Sequence, residues 1–151
     1  MTSTPIMLSE HFSLPEFVAS QEATRLCIYN RPTDPEVISN LHKLAALMEL
    51  VRSALDDRPI IITSGYRSLK LNRTLGSHDT SQHITGQACD FICPTFGTPL
   101  DVCRAIIDHQ LDIRYDQLIV EYRAWVHIST APDARLMVMT IDHNGTRPGL
   151  A

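Results

Sequence analysis

The sequence predicts an α+β fold: a single small domain in which a mostly antiparallel sheet is flanked by helices. Three observations carry that prediction. The chain of 151 residues is the length of one domain, and no repeat, low-complexity segment or linker divides it. Helical and extended patterns follow one another as helices, strands, helix, strands, without the strict alternation of a parallel α/β sheet. The extended runs are short, and the first, Ile60 to Thr63, is β-branched and bounded by Pro and Gly.

From the N-terminus, residues 1–8 carry no pattern and read as a loose lead-in. Ser13-Leu14-Pro15-Glu16 is a capping box with Pro in the first turn, so a short helix begins there and turns Phe17 and Val18 inward. Cys27 to Pro32 reads as extended chain and turn, because Pro32 keeps Arg31 out of the helical region. Thr33-Asp34-Pro35-Glu36 reads as a second capping box and opens a long helix. In it Val37, Leu41, Leu44, Met48, Val51 and Leu55 keep a three–four spacing and form one apolar stripe. His42 and Glu49 fall off the stripe and are expected in solvent. Asp56-Asp57-Arg58-Pro59 ends the helix.

Ile60 to Thr63 is a β-branched run expected as a buried strand. Residues 64–82 form a long polar loop with Gly65 and Gly76, of a length that in so small a domain is functional or mobile. Ala88 to Ile92 is the second strand. Thr98 caps another helix with Pro99 at its first position, and Val102, Cys103, Ile106 and Ile107 face inward. Asp116–Glu121 and Val126–Thr130 read as two strands joined by a tight turn at Tyr122-Arg123-Ala124. Leu136–Ile141 reads as the last strand, and residues 142–151 as a polar, loose end.

Composition excludes several classes. A formal net charge of −4 leaves no electrostatic footprint for nucleic acid, and aromatic residues are too few for a base-stacking platform. The four cysteines, Cys27, Cys89, Cys93 and Cys103, contain no C-x-x-C pair, so no cysteine zinc site is expected. Cys89 and Cys103 lie in apolar surroundings and read as reduced thiols acting as small hydrophobes. The N-terminus has neither a positively charged n-region nor an apolar stretch, so no secretory signal is expected. No apolar run is long enough to span a bilayer, and no membrane partner is expected.

The chemistry centres on Ser81-Gln82-His83-Ile84-Thr85-Gly86-Gln87-Ala88-Cys89-Asp90, which reads S-x-H-x-x-G-x-A-x-D. A neutral imidazole and a carboxylate suit Zn²⁺, and a third ligand must come from elsewhere. The best candidate is His127, in Trp125-Val126-His127-Ile128-Ser129. Gly86 and Ala88 let neighbouring backbone come close and leave room beside the ligands. Glu121, at the end of an extended run, is a carboxylate that precedes His127.

Three pieces, Ser64-Gly65-Tyr66-Arg67-Ser68, the S-x-H-x-x-G-x-A-x-D stretch, and Glu121 followed by Trp125-Val126-His127, together resemble the zinc D-Ala-D-Ala carboxypeptidase-type peptidases of the M15 family. The likeness is greatest to the compact branch found in phage and prophage, and the pieces occur in the family's order between Ser64 and Ser129. The resemblance implies a D-Ala-D-Ala carboxypeptidase/hedgehog-like fold and Zn²⁺ held by His83, Asp90 and His127. It implies Glu121 as general base, moving a proton from the attacking water to the leaving amine. It also implies substrate contact by Arg67, whose planar fork suits a carboxylate or an oxyanion. Several relatives carry the base three residues before the last histidine; here that position is Ala124, and Glu121 lies six before His127. Ser81 and Gln82 flank His83 and are expected to hydrogen-bond substrate or orient the ligand.

The expected function is therefore hydrolysis of an amide bond in peptidoglycan stem peptides or cross-bridges, as a D-Ala-D-Ala carboxypeptidase or an endopeptidase. The expected setting is a phage virion or the host cytoplasm, with phage tail or lysis proteins as possible partners that bring the protein to the wall. The alternative is a non-catalytic virion or wall-binding module that keeps the fold; the departure at Ala124 is what keeps it in view.

Overall fold

The computed structural model describes residues 3–151; Met1 and Thr2, part of the expected lead-in, lie outside the described residues. The elements in chain order are α1 (Leu14–Val18), α2 (Gln21–Arg25), α3 (Pro35–Ala54), β1 (Ile61–Ser64), α4 (Leu69–Thr74), β2 (Ala88–Ile92), α5 (Pro99–Asp108), β3 (Gln117–Glu121), β4 (Trp125–Ser129), β5 (Met137–Asp142) and β6 (Gly145–Pro148). The strands form one sheet in the order β1-β2-β4-β3-β5-β6. Its ladders are antiparallel except β3 with β5, which is parallel. The α+β class and the mostly antiparallel sheet read from the sequence are what the chain forms.

Strand period two divides the sheet into two faces. On one face Cys89, Phe91, Leu118, Val120, Val126 and Ile128 join the stripe of α3 (Leu41, Leu44, Met48, Val51), its C-cap Leu55, and Val102, Cys103 and Ile106 of α5 in one buried cluster. The alternate residues point to the other face. There, direct cross-strand partners line up as Ser64–Asp90, Asp90–His127, His127–Ile119 and Ile119–Met139, a row across five strands. Glu121 and Trp125 pair with each other one step along the same face.

The helix starts follow local chemistry. Ser13 donates from its backbone N and its Oγ to Glu16, which starts α1. Thr98 and Asp101 make the reciprocal capping box of α5. For α3 the expected capping box at Thr33 does not form. Asp34 is the N-cap and accepts from the Glu36 N–H, because Pro35 at the first helical position shifts the start by one residue.

Several other expectations are corrected. Residues 6–8 are held: the Leu14 N–H donates to the Ile6 carbonyl, Met7 bridges Ser13, and Leu8 is buried. His42 and Glu49 are what hold the following chain. Glu49 accepts from Ser9 Oγ, His11 N and His11 Nδ1, and the His42 ring bonds the Leu8 carbonyl. The strand expected over Ile60–Thr63 runs one residue later. It is an edge strand with Ile61 half exposed, because it ends the sheet order and so has a strand on one side only. The polar loop 64–82 contains α4, started by Ser68 Oγ accepting from the Leu71 N–H. The helix α2, capped by Ser20, was not anticipated. The C-terminal end is also not loose: Asp142 accepts from the Asn144 N–H, Gly145 takes φ +103°, and β6 returns along β5, where Arg147 pairs with Asp142.

All four cysteines are free. Cys89, Cys93 and Cys103 are buried and Cys27 is exposed. Burial pushes the Cys103 thiol up to about 12 and raises Cys89 well above its ordinary value.

Candidate metal centre

β2 and β4 place Asp90 and His127 as direct antiparallel partners on the open face of the sheet. The third residue, His83, comes from the turn preceding β2. That turn is built tightly. Gly86 has φ +75°, and a Cβ there would meet the Val37 carbonyl of α3 at 2.9 Å, so only glycine allows both the turn and the approach of the helix. The Arg67 N–H donates to the His83 carbonyl, and the Gln87 N–H to that of Gln82.

The three side chains are buried, and their ligand atoms lie within 4.8 Å of one another. His127 Nδ1 is 2.9 Å from Asp90 Oδ1, and His83 Nε2 is 3.5 Å from the same oxygen. The His83 ring is oriented from behind: Nδ1 lies 2.7 Å from the Gly65 carbonyl. A carbonyl only accepts, so Nδ1 carries the proton, and the lone pair on Nε2 faces the cluster. Burial holds the His83 pKa below its ordinary value, so the ring stays neutral as a ligand must. Burial would raise the Asp90 carboxyl, but the hydrogen bond from His127 and the neighbouring imidazoles outweigh it and hold the group ionised, well below the usual range.

The donor set fits zinc. Two nitrogens and one oxygen are the ligands of an open catalytic site, and a tetrahedron with bonds of about 2.0–2.2 Å separates its donors by about 3.4 Å. The observed 2.9 and 3.5 Å bracket that spacing.

Two further expected residues flank the cluster. The β3–β4 hairpin turns through Tyr122 and Arg123, both at positive φ, and brings Glu121 Oε1 to 3.9 Å from His127 Nδ1. Trp125 Nε1 donates to Glu121 Oε2 at 3.0 Å, which leaves Oε1 as the oxygen turned to the cluster. Burial, with the charge of Asp90 beside it, raises the Glu121 pKa. Ala124 is exposed in the turn. Arg67 Nη2 lies 3.6 Å from Asp90 Oδ2, with Nε 3.3 Å from Ser64 Oγ and Nη1 3.4 Å from Asn72 Oδ1. These contacts are long for a guanidinium, so its donors are held in place without being used up. A groove of about 600 Å³ beside β1 is lined by Ile62, Ser64, Tyr66, Leu71 and this arginine among others.

Ser81 Oγ accepts from the His83 N–H, and Gln82 Nε2 donates to Asp116 Oδ2 at 3.0 Å and to the Thr130 carbonyl at 3.3 Å. His78, His109, His143, His11 and His42 lie outside the metal cluster.

Three polar residues around the site escaped the sequence reading. Asn72, fully buried on α4, takes Arg67 and donates to the His78 carbonyl. Asn30 ties Ser68, Tyr66 and Val18 together around the Arg67 loop. Asp116, buried ahead of β3, binds Gln82 and Arg135. A lone Asn or Asp in a polar stretch carries no periodicity, so nothing in the sequence marks it.

The family profile described as Peptidase M15 matches residues 10–129. No curated protein matches the chain.

Proposed function

The chain belongs to the peptidase M15 family, and from that premise we propose that it is a zinc-dependent peptidase hydrolysing an amide bond in the stem peptides or cross-bridges of peptidoglycan. The observation that carries this reading is the buried His83–Asp90–His127 cluster with Glu121 Oε1 beside it. Zinc bound by those three side chains would supply Lewis acidity to the scissile carbonyl and acidify a water molecule.

The chain's own groups do the rest. Glu121 takes a proton on Oε1 from the attacking water and returns it to the leaving amine, while the Trp125 indole holds Oε2 and fixes the carboxylate plane. Its raised pKa makes that carboxylate a better proton acceptor than one in open solvent. Arg67 offers guanidinium N–H groups to the oxyanion or to a terminal carboxylate of the substrate, which enters by the groove along β1. Of the two roles open to Ser81 and Gln82, this reading gives them orientation of His83. Delivery to the wall by phage tail or lysis proteins belongs to the same proposal. No helix among the described residues is long and apolar enough to cross a membrane.

The test is zinc content together with digestion of purified peptidoglycan, with and without chelator. About one zinc per chain and chelator-sensitive release of peptide fragments or D-Ala support the proposal, and fragment masses name the bond. Zinc without digestion favours a wall-binding module or another amide substrate. No zinc after reconstitution removes the three-residue metal site.

A further inference from the structure

Asp116 is a buried carboxylate whose hydrogen-bonding capacity is filled. Oδ1 accepts from Arg135 N at 3.1 Å and Arg135 Nε at 2.8 Å; Oδ2 accepts from Arg135 Nη2 at 2.8 Å and from Gln82 Nε2 at 3.0 Å. Its backbone is equally committed, with its N–H on the Ser129 carbonyl and its carbonyl accepting from Met137. The residue therefore ties the entry of β3 to the end of β4 and the start of β5, all inside the rigid sheet. Three of its four side-chain bonds come from Arg135 and already neutralise the charge. The fourth goes to Gln82, the residue before the ligand His83. Gln82 also donates to Thr130, and its own carbonyl receives the Gln87 N–H that closes the ligand turn. His83 thus sits between two anchors: its ring on Gly65, and the preceding side chain on Asp116.

We propose that Asp116 is a positioning residue that, through Gln82, pins the turn carrying His83 to the sheet carrying Asp90 and His127, so that the three ligand atoms are held together before a metal arrives. The inference rests on the zinc reading of the site. Partners that orient ligands from behind typically contribute 10–100-fold to metal affinity.

The Gln82–Asp116 bond can be inverted. Gln82→Glu sets a carboxylate against a carboxylate. Adding Asp116→Asn gives the pair a donor and an acceptor again, exchanged in place, with unchanged net charge. Zinc affinity is read by chelator competition, the ligand environment by the visible absorption of the cobalt-loaded protein, and folding by melting of the metal-free forms. The expected result is zinc binding weakened roughly 10–100-fold in Gln82→Glu with an altered cobalt spectrum. The double variant should recover part of that loss and not all of it, because Asp116→Asn leaves Arg135 one acceptor in place of two and Gln82→Glu no longer donates to the Thr130 carbonyl. Wild-type affinity and spectrum in Gln82→Glu overturn the proposal, and so does a loss of which the exchanged pair recovers no part. If Gln82→Glu does not fold, Gln82→Met carries the test: it removes the donor without adding charge, and unchanged affinity there overturns the proposal. A wild-type protein that binds no zinc overturns the metal-site reading itself and the positioning role with it, whereas zinc-binding wild type with indifferent variants overturns only the role of Asp116.

Discussion

The two faces of the β2–β4 ladder share one backbone and carry opposite chemistry. Phe91 and Val126 are paired partners inside the hydrophobic cluster; Asp90 and His127, one residue away on each strand, are paired partners on the open face. On the closed face the chain behaves as a packing problem, with α3 and α5 filling the space. On the open face polar groups are held by hydrogen bonds from the 65–87 segment. The difference teaches that this site is a by-product of register. Whatever packs Phe91 and Val126 also sets the distance between Asp90 and His127, so the core fixes the spacing of these two side chains with an accuracy that a loop could not.

The comparison can be broken from either side. Phe91→Ala on the closed face should cost about 3–5 kcal/mol, read by denaturant unfolding, because it opens a cavity in a packed layer. Glu121→Gln on the open face should leave stability nearly unchanged and zinc bound, while turnover of peptidoglycan falls roughly 10²–10⁴-fold. If Glu121→Gln unfolds the protein, or Phe91→Ala does not destabilise it, the division of labour between the faces is wrong.

The site's anchor gives a smaller effect with a pH signature. Asp116 titrates at about 2, held down first by its hydrogen bonds from Arg135 and then by that from Gln82. A carboxyl depressed in the folded state stabilises it above the unfolded value and loses that contribution as pH falls through the folded one. Asp116→Asn should therefore be less stable than wild type by about 2 kcal/mol at neutral pH. The gap should close between about pH 4 and pH 2, as seen in urea titrations at stepped pH. A gap independent of pH would assign the effect to packing. The smallest effect sharpens the comparison on the open face itself. Ile119 is buried there beside His127, so Ile119→Val should cost about 0.5–1.5 kcal/mol with zinc affinity unchanged.

The sequence was most legible where a period or a cap was present. The 3–4 stripe of α3, the caps of α1 and α5, and the apolar residues alternating around Asp90 and His127 all state their geometry locally. The hairpin between Glu121 and Trp125 was legible as a turn, but its twist, with Tyr122 and Arg123 at positive φ, was not. Elements too short to show a period were missed: α2, α4 and the hydrogen-bonded return of β6 depend on a single serine or aspartate each. The helix pattern places Glu49 and His42 in solvent because it shows which residues leave its stripe, not which distant segment comes to meet them. Asp116 was invisible for the same reason, since its meaning lies in partners 19 and 34 positions away.

The distribution of the cysteines has a practical consequence. Cys27 stands exposed on a left-handed turn, while Cys89, Cys93 and Cys103 are shut away, Cys89 on β2 next to a proposed ligand. An alkylating reagent added to the native protein meets one thiol promptly; the other three react only when the interior opens. Counting adducts by mass against time would turn these side chains into a clock for the breathing of the sheet, and would show whether zinc slows it.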